Sequence, residues 1–126
     1  MKIYKINYFS NPIEGNSDES VFKEKKYAYT YGELTKNGLE SILKNINCID
    51  KIFYDLGSGK GNVIINSIKL YPSFKKSIGI ELSKQRYEEA LEKLDLLSDN
   101  EKSKIQFLNE DILSNNIILN DADIIY

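Results

Sequence analysis

The residues in this chain best placed to do chemistry are three carboxylates and three glycines. Asp55, Glu81 and Asp111 fall at or just past the ends of short apolar runs: Ile52-Phe53-Tyr54, Ser77-Ile78-Gly79-Ile80 and Ile105-Gln106-Phe107-Leu108. Directly after the first run comes Asp55-Leu56-Gly57-Ser58-Gly59-Lys60-Gly61-Asn62. Glycines so placed let the backbone turn sharply and let a ligand lie against peptide groups, which a Cβ would prevent. A carboxylate at the end of the following strand, roughly twenty residues on, can grip ribose hydroxyls. Together these features read as a cradle for an adenosine-containing cofactor.

The spacing narrows the choice of cofactor. A dinucleotide fingerprint places glycine or alanine three positions after its second glycine. Here that position is Asn62, and the third glycine comes one place early. A P-loop would need Gly-Lys-Ser/Thr, and the chain has Gly59-Lys60-Gly61. Asp55 would repel a pyrophosphate but attract an ammonium group. S-adenosylmethionine has such a cationic end and no phosphate.

The elements that position these residues follow from hydrophobic periodicity. Residues 1–30 are polar, with turn signals at Asn11-Pro12 and Gly15-Asn16-Ser17-Asp18, and read as an arm leading into a domain over 31–126. From Tyr31 to about Asn45, Leu34, Leu39, Ile42 and Leu43 recur at helical spacing. Strands are expected at Ile52–Tyr54, Ser77–Glu81, Lys104–Asn109 and Asp123–Tyr126. Helices are expected over Asn62–Leu70, stopped by Tyr71-Pro72, and from an N-cap at Ser83 to about Leu97. Alternating strands and helices predict an α/β fold with a parallel sheet and right-handed crossovers. Ligands of such sheets sit beyond the carboxyl ends of the strands, where Asp55, Glu81 and Asp111 fall.

Composition excludes several classes. The chain has 126 residues, enough for one core, and 17 basic against 19 acidic residues, so no bulk attraction to nucleic acid is expected. One cysteine, Cys48, and no histidine leave neither an internal disulfide nor a Cys/His zinc set. Cys48 reads as a small buried filler, since no histidine is present to activate it. No signal peptide or membrane span is expected, and the protein is expected to be intracellular.

The chain resembles class I S-adenosylmethionine-dependent methyltransferases, and more narrowly the Dot (disruptor of telomeric silencing) family of histone-lysine methyltransferases that lack a SET domain. The class resemblance rests on Asp55 to Asn62, Gly79-Ile80-Glu81 and Glu110-Asp111-Ile112-Leu113. The narrower one adds Tyr31-Gly32-Glu33, Asn62-Val63 and Arg86-Tyr87 followed by Ala90. It implies a Rossmann-like sheet in the order 3-2-1-4. It also implies that Tyr31, Gly32, Glu33 and Leu34 close over S-adenosylmethionine. Asp55, Gly57, Gly59 and Asn62 would surround the methionine part, Glu81 the ribose, and Asp111 and Ile112 the adenine. Leu34 stands where better-known members carry threonine. The family's fourth strand continues into an aromatic and Asn-Asn element and further strands, whereas this sequence ends at Tyr126. Those C-terminal strands are therefore expected to be absent, with the last strand exposing an edge open to another chain.

The resemblance further implies a histone or other protein substrate, with nucleosomes as one form of it. It places the protein in the nucleus if the source is eukaryotic and the enzyme acts on histones, and in the cytoplasm otherwise. No catalytic base is assigned. A methyltransferase acting on RNA or a small molecule, or a cofactor-binding remnant without turnover, would use the same cradle. Read individually, Glu81 also fits a solvated strand end, Asp111 a turn or N-cap residue, and Glu33 a cap on the helix that follows it.

Overall fold

In a computed structural model, the structure describes residues 2–3 and 32–126. In chain order its elements are β1 (Lys2–Ile3), α1 (Lys36–Leu43), β2 (Ile52–Leu56), α2 (Asn62–Leu70), β3 (Lys76–Glu81), α3 (Lys84–Asp95), α4 (Asp99–Lys102), β4 (Ile105–Asn109) and β5 (Ile124–Ile125). The strands form one sheet in the order β1-β5-β2-β3-β4, and every pairing is parallel. The four expected strands thus lie in the expected order, 3-2-1-4. The chain leaves β2 toward β3 and β4 on one side and returns to β5 on the other. The carboxyl end of β2 is therefore the point where strand order reverses.

Alternation along the strands divides the core into two layers. Phe53, Phe107, Ile105 and Ile124 face the helices and pack with Leu39, Leu43, Val63, Ile64, Ile68 and Phe74. Tyr54, Ile78, Ile80 and Ile125 face the other way, toward Ile117, Leu119 and Ala122 of the segment between β4 and β5. Each fully buried aliphatic or aromatic side chain contributes roughly 1.5–3 kcal/mol. On β3 the helix-facing positions are small. Ser77 meets Ser67 of α2 through a buried hydroxyl contact of 2.6 Å, and a Cβ on Gly79 would come within 2.8 Å of the Phe107 ring. Small residues here let α2 and the glycine loop lie close on the sheet.

Boundaries differ from the sequence expectation for identifiable reasons. The first helix starts at Lys36, because the Thr35 side chain caps it by accepting from Gly38 N at 3.1 Å, leaving Leu34 in the lead-in. Ser83 caps α3 as expected, but α3 ends at Asp95. Leu96 is 86% exposed, so the apolar face does not continue. Ser98 and Glu101 then form a capping box that opens the separate helix α4. Tyr71, at φ −131°, ends α2 ahead of Pro72.

The outer edge of β5 is a correction. It was expected to be open to another chain, but Lys2 and Ile3 pair with Ile124 and Ile125 along it. The arm expected over residues 1–30 therefore contributes β1, and the rest of it lies outside the described residues. Among the described residues no helix is long and apolar enough to cross a membrane.

Candidate functional site

The loop between β2 and α2 is built on three glycines with positive φ: Gly57 at 97°, Gly59 at 54° and Gly61 at 82°. L side chains rarely adopt that backbone region. Gly57 N and Ser58 N donate to the carbonyl of Ile80 at 2.8 and 2.9 Å, stitching the loop to the neighbouring strand. The glycines have distinct surroundings. A Cβ on Gly61 would lie 2.6 Å from Phe107 Cζ and 3.0 Å from Ala90 Cβ, so Gly61 is there for packing. Gly57 is exposed, and a Cβ there would meet nothing within 4 Å. Gly57 thus leaves open space directly over bare backbone at the switch point of the sheet.

Carboxylates hold this loop from two sides. Glu81, 5% exposed at the end of β3, accepts from Gly59 N through Oε2 at 2.8 Å and from Ser83 N through Oε1 at 2.7 Å. It therefore fixes the glycine loop and the start of α3 together, and each oxygen keeps a second lone pair for a ligand. Glu33 accepts from Asn62 N at 3.0 Å and also from the Asn62 side-chain amide. The cap at Gly61 has no side-chain hydrogen bond of its own, so Glu33 acts as a distant cap on α2. Of the two roles open to Glu33 in the sequence, cofactor contact or a cap on the helix that follows it, the capping one is shifted: Glu33 caps not α1 but α2, the next helix along the chain.

Asp55 lies within β2, 4% exposed. Burial pushes its carboxyl well above the usual carboxylate range, and the charges of Glu33 and Glu81 add to the shift. Three acidic groups around one glycine loop make a seat that favours a cation. Those acceptors fit the amino group of a methionine moiety and would repel a phosphate.

The sequence-predicted residues divide accordingly. Glu33, Asp55, Gly57, Gly59, Asn62 and Glu81 come together at the glycine loop. Gly32 and Leu34 lie in the lead-in to α1, where Leu34 packs against the main core and over Gly38. Tyr31 lies outside the described residues. Asp111 sits past β4 and accepts from Leu113 N at 2.9 Å, as a turn residue does. The neighbouring Ile112 is 43% exposed, an apolar surface beside that turn.

Other residues at the site were not singled out by the sequence, Lys60 among them although it lies within the glycine motif. Lys93 of α3 donates to Asn62 Oδ1 at 2.9 Å, and Lys60 pairs with Glu89 at 3.2 Å. Asn109 donates to the carbonyls of Glu81 and Leu82 at 2.8 and 3.0 Å, fixing the end of β3 and the turn that follows Glu81. In a lysine- and asparagine-rich chain these residues look like ordinary surface positions, and only their spatial partners single them out. Among the described residues, no cluster of His, Cys, Asp or Glu is arranged to hold a metal ion.

The sheet order and this loop define a class I, Rossmann-like methyltransferase fold. Solved structures agree. The chain resembles the methyltransferase domain of a bacterial Hen1 (CtHen1) at 26% identity and TM-score 0.52, over 63% of this chain and 40% of that one. It resembles YcgJ from Bacillus subtilis at 20% identity and TM-score 0.58, over 72% and 37% respectively. It resembles the glycopeptide N-methyltransferase MtfA, solved with S-adenosylmethionine, at 11% identity and TM-score 0.55, over 64% and 35%. The chain spans less than half the length of each. No curated protein sequence matches it. The family model described as histone methylation protein DOT1 matches residues 20–126, and the chain belongs to that family.

Proposed function

We propose that this chain carries the S-adenosylmethionine-binding part of a methyltransferase acting on lysine in a histone or another protein. The observation that carries the reading is the open backbone at Gly57, beside a buried Asp55 and between two loop-holding carboxylates. Support for the cofactor comes from the cation-favouring set of carboxyl groups and from structural relatives solved with S-adenosylmethionine or S-adenosylhomocysteine. Support for the substrate class comes from membership of the DOT1 family.

On this reading residues 31–126 form the N-terminal part of the methyltransferase domain. Tyr31, Gly32, Glu33 and Leu34 line the cover of the site. Asp55, Gly57, Gly59 and Asn62 hold the methionine end, and Asp55 meets its ammonium group. Glu81 takes the ribose hydroxyls with the lone pairs left over from Gly59 and Ser83. Asp111 and Ile112 meet the adenine. The bound cofactor supplies a methyl group on a sulfonium, open to in-line displacement by an amine. What these residues contribute is alignment, which brings the reacting atoms to near-attack distance. The amine must arrive neutral, although a free lysine has a pKa of about 10.4, so the substrate channel has to be dry. None of the residues named here is assigned as the base.

Calorimetric titration of the chain with S-adenosylmethionine tests the cofactor, with saturable one-to-one binding expected. Methylation assays on nucleosomes, free histones and RNA test the substrate class. Transfer to RNA alone would replace the protein-lysine reading.

A further inference from the structure

One face of α3 reaches the glycine loop at two points. Glu89 and Lys93 stand one helical turn apart, on the same side of the helix. Glu89 pairs with Lys60 of the loop at 3.2 Å, and Lys93 donates to Oδ1 of Asn62, the first residue of α2, at 2.9 Å. The same Asn62 side chain donates through Nδ2 to Glu33, whose other oxygen receives Asn62 N at 3.0 Å. An ammonium, a carboxamide and a carboxylate thus form one chain of hydrogen bonds across α3, α2 and the lead-in to α1.

The order of donors and acceptors in that chain is fixed. A lysine ammonium can only donate, so Asn62 must turn its oxygen toward Lys93 and its amide nitrogen toward Glu33. Both ends are charged, which makes these bonds stronger than neutral ones. The half-buried setting screens them less than an exposed pair. Removing Lys93 leaves Asn62 Oδ1 without this donor and loosens the grip of Asn62 on Glu33.

We infer that Lys93 is a positioning residue. Through Asn62 it holds Glu33 against the start of α2, and so sets the position of the lead-in, residues 32–34, relative to the glycine loop. The inference rests on the cofactor-site reading above for its effect on binding, but the hydrogen-bond chain is made of protein groups alone and is measurable by itself.

Two measurements on the whole chain test it. In cofactor-free protein, Lys93→Met should speed hydrogen exchange at Asn62 N by about fivefold or more, with exchange in β2 and β3 unchanged, because the Glu33 acceptor is no longer held in place. Calorimetry with S-adenosylhomocysteine should show Lys93→Met binding about tenfold weaker, in keeping with the loss of one charge-assisted hydrogen bond. Lys93→Arg should restore most of that affinity. In a Glu33→Gln background the same Lys93→Met change should cost less than about threefold, because coupled residues do not add. Unchanged exchange at Asn62, or a full tenfold effect surviving in Glu33→Gln, would overturn the role of Lys93. Failure of the wild-type chain to bind S-adenosylhomocysteine would overturn the cofactor reading, and the exchange result alone would then decide on Lys93.

Discussion

The carboxylate of Glu81 holds the backbone N–H of Gly59 at 2.8 Å, joining the end of β3 to the middle of the glycine loop. The residue proposed to grip the ribose is therefore also the one that shapes the glycine loop. Its other oxygen holds Ser83 N at 2.7 Å, so strand, loop and helix meet on one side chain.

Replacing Glu81 should consequently affect both stability and binding. Glu81→Ala leaves the buried N–H groups of Gly59 and Ser83 without their acceptor, at a cost of about 1–3 kcal/mol for each group left unsatisfied. Thermal or urea unfolding measures that loss. Calorimetry should show S-adenosylmethionine binding at least about tenfold weaker, on the basis of roughly 1.5–3 kcal/mol for a hydrogen bond to a charged group.

Two of the loop glycines, Gly61 and Gly57, should respond differently to alanine. At Gly61 a Cβ would meet Phe107 at 2.6 Å as well as strained backbone, so Gly61→Ala should destabilise by about 3 kcal/mol or more. At Gly57 the space is open and only the positive φ is strained, a cost of about 1–2 kcal/mol. Gly57→Ala should fold, melt only slightly lower, and lose cofactor affinity out of proportion to its stability. Equal losses of binding in the two variants, each corrected for the fraction folded, would argue against a ligand over Gly57.

Glu33→Ala removes the distant cap of α2. Loss of a capping acceptor costs about 0.5–2 kcal/mol, and the effect should be confined to the first turn of α2 and the lead-in to α1. Amide exchange resolved by residue would show it there and not in β3.

Asp55 should give the site a pH dependence of definite sign. Its folded-state carboxyl lies well above the usual range through burial, reinforced by Glu33 and Glu81, whereas in the unfolded chain it titrates at about 3.9. Its contribution to stability is therefore fully present below that unfolded value and is lost as pH rises through the folded one. A cationic ligand reverses the preference, because it stabilises the ionised carboxylate. Cofactor binding should then release protons and tighten with pH across that window. Calorimetry in two buffers of different ionisation enthalpy measures the release, which should be absent in Asp55→Asn.

Much of this molecule was legible in the sequence. The apolar runs and the Gly57-Gly59-Gly61 spacing are local patterns, and local patterns fix which segments become strands, which become helices and where the backbone must bend. Asn62–Leu70 is the expected helix residue for residue, because Gly61 opens it and Tyr71-Pro72 closes it. Parallel order followed from the alternation of strand and helix, which admits few topologies.

Tertiary structure alone decided the rest. Glu33 reads locally as a cap for the helix next to it, and only packing brings it to α2, because Thr35 already caps α1. Lys93 and Asn109 carry no spacing signal, since their partners at Asn62 and at Glu81-Leu82 are distant in sequence and meet them only once the sheet has formed. The edge of β5 is covered by two residues from the opposite end of the chain, a pairing that periodicity cannot encode. Residue type and spacing set the local conformation and the available donors, while which donor meets which acceptor is settled by contacts that exist only in the folded chain.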